Sequence, residues 1–223
     1  MKRDFDSTIR DYINFVNAQV GVYMDALAGF SGHRVRVERQ VHRINRPSRV
    51  KKDENGNNVM VWASYEDPTQ PDVIHNRIIR AEEYIKANSP LGSNERQHSQ
   101  AILVFLFTYW EDEIRPKLAA SQNKTPNDIR SDILGDLRVL RNVILHSKGI
   151  IRKDKHKDLK KLNDMFHVDE PVHPSYDDMH KIFILIKKDC AKMLFEYLGT
   201  SPPGFTHEDI RDVALQFRNP QKG

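Results

Sequence analysis

The most hydrophobic part of this 223-residue chain is the segment QAILVFLFTYWEDEI, residues 100–114. Its continuous apolar run, residues 101–107, is far too short to cross a bilayer, so no membrane association is expected. A helix that is apolar on nearly all sides has to be surrounded by other elements, and the segment therefore predicts the central helix of a bundle. This helix is expected to begin near Ser93 and to be kinked or ended by Pro116.

Four further segments carry apolar residues at helical spacing, and with the central helix they predict an all-α bundle of about five helices. These segments are residues 6–27, 71–88, 126–148 and 175–199. Ser175 and Asp178 form a capping box at the start of the last segment, and Gly199 can end it. A short helix at residues 207–217 is expected in the C-terminal tail.

The helix predicted at residues 126–148 has the clearest boundary signals. Thr125 provides an N-cap, Pro126 a first-turn proline and Asp128 an acidic third position, while Gly149 can take the left-handed conformation after the helix. One apolar stripe comprises Ile133, Leu137, Leu140 and Ile144, and a second, smaller stripe comprises Gly135, Val139 and Val143. Two stripes indicate burial on two sides, with close approach of another helix at the small residues.

The segment between the first two predicted helices has no secure assignment. Asn55-Gly56 followed by Val59, Val61 and Trp62 indicates a hairpin. Residues 34–38 alternate like a strand, although a helix continuing from Ser31 fits them nearly as well. The predicted organisation is one globular domain with an N-terminal helix at 1–30, an irregular or hairpin insertion at 31–70, a helical core at 71–199 and a tail at 200–223.

Cysteine content favours a reducing compartment, and the mild positive charge would assist an anionic partner without naming one. The one cysteine, Cys190, cannot form an internal disulfide, and the first residues lack the apolar region of a signal peptide, so a cytoplasmic location is expected. The formal net charge is +4, and residues 152–161 carry six Lys or Arg against two Asp. This basic run is either a solvated face or a phosphate-contacting patch.

Four polar side chains interrupt the apolar surface of the fourth predicted helix. Arg138, Asn142 and His146 follow one another at intervals of four residues, and Arg141 lies beside this line. If another element covers them, an arginine there needs an anionic ligand or a hydrogen-bonded partner, because an unpaired buried charge is too unfavourable. Alternatively, the polar line faces water.

Residues 141–146, RNVILH, match the R-x4-H form of the R-x4-6-H motif of HEPN domains, including the polar residue that commonly follows the arginine. Residues 107–119, FTYWEDEIRPKLA, are similar to the helix that precedes the motif in bacterial members. The chain thus resembles the ribonuclease type of this family, with a HEPN-like helical bundle. Arg36 and His42 also have a permitted spacing, but no capped helix surrounds them and Val37 follows the arginine.

The resemblance implies a metal-independent endoribonuclease of a bacterial defence or toxin-antitoxin system, with no cofactor. The 2′-hydroxyl of RNA would attack the adjacent phosphate and leave a 2′,3′-cyclic phosphate and a 5′-hydroxyl. His146 is the expected proton carrier, Arg141 the phosphate-binding cation and Asn142 the orienting group. Glu111 is a candidate supporting residue. The expected RNA contacts are Arg138, Lys148, Arg152, Lys153, Lys155 and Lys157.

A homodimer is also implied, because residues five apart on a helix differ by about 140° in direction and family members join two motifs in one cleft. An antitoxin or another defence protein is a further implied partner. The alternative is a non-catalytic HEPN module that binds RNA, a nucleotide or a partner protein. His156, His167, His173 and His180 fit no compact metal-ligand pattern.

Overall fold

Helix α1, Lys2–Val41, is the longest element of the computed structural model, which describes residues 2–41, 50–65, 69 and 74–199. At 1.5 Å per residue, its 40 residues extend about 60 Å. The predicted end at residue 27, and the limit of the N-terminal helix at residue 30, are therefore wrong. The helix continues because Val37 is buried in a second small core and because Arg34 pairs with Glu38 one turn later.

A three-stranded antiparallel sheet follows α1, in the order β1 (Val50–Lys52), β2 (Asn58–Tyr65) and β3 (Ile74–Arg80). The predicted hairpin at Asn55-Gly56 is confirmed, with Gly56 at φ +79°. The predicted helix at 71–88 is wrong in its first half, since β3 pairs with β2 from Tyr65↔Ile74 to Val59↔Arg80. Its isoleucines fit a helical period, but β-branched residues also favour a strand, and pairing with β2 decides between the two.

Only residues Ala81–Ala87 of that segment are helical, as α2. Ala81 and Tyr84 of α2 pack with Val37 of α1 and Met60 of β2 in the second core. The hydroxyl of Tyr84 lies 2.6 Å from Nδ1 of His33. The sheet and α2 are thereby attached to the C-terminal end of α1.

The predicted central helix is confirmed, and it runs past Pro116. Helix α3 (Ser93–Tyr109) continues into a π-helical turn (Trp110–Ile114) and then into α4 (Arg115–Ser121). Proline lacks a backbone N–H and disturbs the regular bonding of the preceding turn, which is where the π turn lies. Trp110 and Ile114 remain buried in the main core, so the irregular turn is packed in place.

The fourth predicted helix begins later than expected. The Asp128 carboxylate accepts hydrogen bonds from the N–H and hydroxyl of Thr125, but this capping box closes only the 3-10 turn Pro126–Asp128. Ile129 is extended and buried, which takes the chain out of the helix. Helix α5, Asp132–His146, then starts at Ser131, whose hydroxyl accepts the N–H of Leu134.

Helix α5 ends at His146, so the predicted end at residue 148 is wrong, because Lys148 has positive φ. Gly149 also has positive φ, which confirms the predicted left-handed glycine. A short helix α6, Lys153–His156, and helix α7, Tyr176–Leu198, complete the described fold. The capping box at the start of α7 and the left-handed Gly199 after it are confirmed. The predicted tail helix at 207–217 lies outside the described residues.

The fold is mostly helical with one small sheet, which agrees with a helical bundle carrying a β insertion. Ile133, Leu137 and Leu140 of α5 are buried as predicted. The second stripe is wrong at one position, because Gly135 is exposed with no atom within 4 Å of a Cβ placed there. No described helix is long and apolar enough to cross a membrane.

Candidate functional site

The polar line of α5 faces solvent in the single chain. Arg138 and His146 are exposed, and Asn142 is half-buried. Arg141 is half-buried beside them. No described part of the chain covers the line, so any covering partner has to come from outside these residues.

Arg141 is held by its neighbour in the sequence. Its Nη1 donates a hydrogen bond of 2.9 Å to Oδ1 of Asn142. Its Nε is shielded from solvent and has no hydrogen-bond partner in the described structure. An unsatisfied buried donor is unfavourable by about 1–3 kcal/mol, so a small shift of the guanidinium towards an incoming acceptor would be favourable.

Arg138, Arg141 and Asn142 line one side of an open pocket between α3 and α5, of about 240 Å³. The other side is formed by Phe107 and Thr108 of α3 and by the π turn, which contributes Glu111 and Asp112. A π turn widens the helix by one residue and often occurs at functional sites. The pocket therefore places two guanidinium groups opposite two carboxylates.

Glu111 lies in this pocket, but its hydrogen bonds go to a different arginine. Both of its carboxylate oxygens accept from Nη1 of Arg115 at 2.9 Å. Nε of Arg115 also donates to the carbonyl of Ile129 at 3.2 Å, which ties the π turn to the segment before α5. Glu111 thus helps to fix one wall of the pocket through Arg115, and no direct bond joins it to Arg141.

A second groove adjoins the pocket, sharing Phe107, Glu111 and Arg138 with it, and continues towards the N-terminus of α5. It is lined by the cationic groups Arg115, Arg130 and Lys160 and by the carboxylates Asp132, Asp136 and Asp158. The exposed Gly135 leaves its floor without a side chain. In this second groove Arg115 pairs with Glu111 and Lys160 pairs with Asp132, so its cations are largely matched by carboxylates.

His146 does not reach this pocket. It is the last residue of α5 and is exposed, whereas the pocket ends at Asn142, one turn earlier. The single chain therefore brings Arg138, Arg141, Asn142 and Glu111 together and leaves His146 apart from them.

An exposed apolar groove lies on the other side of the pocket, where α3 and α5 continue. It is lined by Gln97, Gln100, Ala101, Val104, Phe105, Ile144 and Leu145. Phe105 is 58% exposed and Leu145 is 51% exposed, and Leu145 immediately precedes His146. This surface was not predicted from the sequence. Its signal is that the central helix is apolar on nearly all sides, so that some apolar residues, such as Phe105, remain exposed.

The predicted RNA-contacting residues after α5 differ in their pairing. Lys148, Lys153 and Lys157 are exposed. Arg152 pairs with Asp169 at 3.1 Å, and Lys155 lies 3.6 Å from Asp154. Because carboxylates lie next to Arg152 and Lys155, we expect the basic run to bind anions more weakly than its sequence suggests.

Asp136 anchors the end of the basic run to α5. Asp128, Asp132 and Asp136 are spaced four residues apart, but only Asp128 and Asp132 are exposed. Asp136 is 1% exposed, and its carboxylate accepts the backbone N–H groups of Lys160, Lys161 and Leu162. The sequence signal for its burial is that helical periodicity places Asp136 on the same side of α5 as the buried Ile133 and Leu140.

The other candidate side chains have structural roles. Nε2 of His156 donates to the carbonyls of Phe166 and Asn163, at 2.8 and 3.2 Å, which closes the loop after α6. Cys190 is fully buried in the main core, and burial raises the pKa of its thiol far above the usual range. Within the described residues, no three His, Cys, Asp or Glu side chains are placed to hold a metal ion.

Comparison of the chain with family models, curated proteins and solved structures gives no match in any of the three.

Proposed function

We propose that this chain is a HEPN-type, metal-independent endoribonuclease that leaves 2′,3′-cyclic phosphate and 5′-hydroxyl ends. The observation that carries the proposal is the pocket in which Arg141, oriented by Asn142 and with an unpaired Nε, lies beside Arg138. Two guanidinium groups on an open wall are suited to binding a phosphodiester, since each offers a planar fork of donors to its oxygens.

The proposed reaction is an internal transfer at phosphorus. The 2′-oxygen forms a bond to the adjacent phosphorus while the bond from phosphorus to the 5′-oxygen breaks. A base accepts the 2′-hydroxyl proton, and the leaving 5′-oxygen takes up a proton. His146 moves the proton, because imidazole exchanges protons near neutral pH, and Arg141 with Arg138 stabilises the charge on the phosphate oxygens.

A second copy of the chain completes the site in this proposal. His146 lies outside the pocket that holds Arg141. It directly follows Leu145, which lines the exposed apolar groove together with Phe105. An apolar surface of this kind is suited to burial in an isologous dimer, in which each α5 faces its equivalent. The exposed Lys148, Lys153 and Lys157 then provide further phosphate contacts at the rim. A cytoplasmic defence or toxin-antitoxin role belongs to the same proposal.

Incubation of the purified protein with RNA in excess EDTA tests the proposal. We expect cleavage that continues without divalent metal and products whose 3′ ends resist periodate oxidation until the cyclic phosphate is removed. The variant His146→Ala should be inactive, whereas the matched control His167→Ala, which alters an exposed loop histidine, should cleave normally. Intact RNA with folded wild type, or strict dependence on added metal, contradicts the proposal.

The second candidate is a HEPN module that binds RNA, a nucleotide or a partner protein without cleaving RNA. The observation that favours it is that the arginine pocket is complete without His146. Equal RNA affinity of wild type and His146→Ala, with no cleavage by either, would support binding alone.

A further inference from the structure

The positive charge of the chain is concentrated far from the motif helix in sequence. Residues 33–52 contain eight Lys or Arg and a single acidic residue, Glu38. The whole chain has 35 basic and 31 acidic residues, so the rest of it carries 27 and 30 and is net negative. The positive net charge therefore arises entirely from this segment.

Within the described residues, the cations of this segment lie at the end of α1 and on the hairpin. Arg36 and Arg39 are exposed on α1, and Lys51 and Lys52 are exposed on β1. The second core, which includes Val37 of α1, holds both elements together. We call Arg36, Arg39, Lys51, Lys52 and the nearby Arg80 the basic end.

Most cations of the basic end are not neutralised by the protein. Arg34 pairs with Glu38, the one acidic residue of the segment. Among the described residues, no ion pair neutralises Arg36, Arg39, Lys51 or Lys52. The run after α5 differs, because Arg152, Lys155 and Lys160 each lie within 4 Å of a carboxylate.

Lys51, Lys52 and Arg80 share an open depression with Asn55, where Glu54 and Glu83 also contribute. Asp53 lies there too, but it accepts the backbone N–H groups of Asn55 and Asn57 in the hairpin turn. The hydrogen bonds from Asn57 lower the pKa of Asp53. This carboxylate therefore serves the turn and also interacts electrostatically with Arg80, whereas Lys51 and Lys52 remain exposed.

We propose that the basic end is a second RNA-binding surface, separate from the α5 pocket, that contacts the phosphate backbone without reading sequence. The inference rests on the proposed function, because it takes RNA as the partner. An accumulation of unpaired cations is the electrostatic requirement for such binding, in which counterions are released from the nucleic acid.

The length of α1 sets the distance between the two surfaces. The hydroxyl of Tyr12 donates to the carbonyl of Leu106 at 3.0 Å, next to Phe107 of the arginine pocket. Arg36 is 24 residues further along the same helix, which corresponds to about 36 Å. A long RNA can engage both surfaces at once, and the second contact then becomes intramolecular and raises the overall affinity.

RNA suits the basic end better than a membrane or an acidic protein does. Peripheral membrane elements and protein interfaces use large apolar side chains as anchors. The exposed large apolar residues of the described chain are Val22, Met24, Leu91, Phe105, Leu145, Val168, Tyr176 and Leu198. None of them belongs to the part of α1 after residue 32, to the described strand side chains or to α2.

The test uses a long, fully 2′-O-methylated RNA, which lacks the attacking hydroxyl, with affinity measured across a range of salt concentrations. The variant Arg36→Gln/Arg39→Gln/Lys51→Gln/Lys52→Gln is compared with a control of equal charge change, Lys124→Gln/Lys181→Gln/Lys188→Gln/Lys192→Gln. We expect the variant to lose at least about tenfold in affinity and the slope of log K against log salt to flatten by about 2 to 3. The control should change by less than about threefold.

The same comparison with an RNA too short to reach both surfaces should show little difference between variant and wild type. An unchanged affinity and salt slope for the long RNA in the folded variant overturns the proposal. If the variant loses binding to vesicles rich in anionic lipid but still binds RNA like wild type, the basic end is a membrane-binding surface and the proposal is overturned.

Cleavage of the short RNA separates this proposal from the nuclease itself. If wild type and variant both cleave it and bind the long RNA equally, the basic end is not an RNA surface, whereas the nuclease proposal stands. If the variant loses long-RNA binding and wild type cleaves nothing, the basic end is supported and the nuclease is contradicted.

Discussion

Arg141 and Asn142, neighbours in the sequence, are also hydrogen-bonded to each other, with Nη1 of Arg141 donating to Oδ1 of Asn142 at 2.9 Å. This bond uses one of the five N–H donors of the guanidinium and limits the directions in which the side chain can point. The neighbouring residue on the same helix thus orients the arginine in the pocket.

The substitution Arg141→Lys preserves the charge and removes the planar fork. If Arg141 holds the reacting phosphate, we expect the initial rate of RNA cleavage to fall about 100-fold, which is typical of losing one oriented donor to a developing charge. The control Arg10→Lys alters an exposed arginine on α1 that pairs with Asp6, and its rate should match wild type. Equal rates for both variants would remove Arg141 from the reaction.

The exposed pair Phe105 and Leu145 provides a prediction about assembly. Introducing Phe105→Asp together with Leu145→Asp should convert a dimer into a folded monomer, because desolvating two carboxylates in an apolar interface is strongly unfavourable. Sedimentation velocity would measure the change. Val168→Asp alters an apolar residue of 39% exposure outside this surface, and it should leave the assembly unaltered. A dimer that persists in the double variant uses another surface.

The elements that could be predicted from the sequence are those with local signals. Helix α7 has its cap residues Ser175 and Asp178 and its terminal Gly199 within its own segment, so its limits were predictable. Strand β3 was not, because its isoleucines fit a helix as well as a strand, and the decisive pairing is with β2. The end of α1 likewise depends on the packing of Val37 against Met60 and Tyr84, which lie more than 20 positions away in the sequence.

The candidate site also has parts that the sequence predicts and parts that it does not. Arg138, Arg141 and Asn142 share a pocket because helical periodicity alone places them on one side of α5. The capping box at Thr125 is real, yet it closes only a 3-10 turn, since the burial of Ile129 redirects the chain. The role of Asp136 could not be read from the sequence, because its partners are backbone groups 24 to 26 residues away.

Asp136 and Asp132 form a matched pair for testing stability. The variant Asp136→Asn replaces a buried acceptor of three backbone N–H groups with an amide that cannot accept all of them. We expect the free energy of unfolding to fall by about 2–4 kcal/mol, as measured by urea denaturation. Asp132→Asn removes only an exposed pair with Lys160, and it should change the free energy by less than about 1 kcal/mol. Similar losses in both variants would contradict the anchoring role.

Stability should also decline in mild acid because of His173. Burial, and then the positive charge of Arg96, lower the pKa of His173 in the folded chain, and its Nε2 is buried without a partner. At a pH above the unfolded pKa of about 6.5, the imidazole is neutral in both states and has no effect. As the pH falls below that value, the unfolded chain takes up the proton first, so the folded state loses stability until the pH passes the lowered folded pKa.

The variant His173→Gln should therefore reduce the loss of stability as the pH falls below about 6.5, as measured by urea denaturation at several pH values. His167→Gln, a change in an exposed loop residue, should keep the dependence of wild type. An identical pH dependence in all three proteins would mean that His173 does not contribute.

A mixture of two inactive variants tests whether the active centre is shared between chains. Arg141 lines the α3–α5 pocket and His146 lies outside it, so a centre built across a dimer can take Arg141 from one chain and His146 from the other. Mixing Arg141→Ala with His146→Ala should then restore activity, since each mixed dimer regains one intact centre of two. A mixture that stays inactive, although size measurements show mixed dimers, means that each centre needs both residues from both chains. A monomer that cleaves RNA at working concentration would contradict the shared centre.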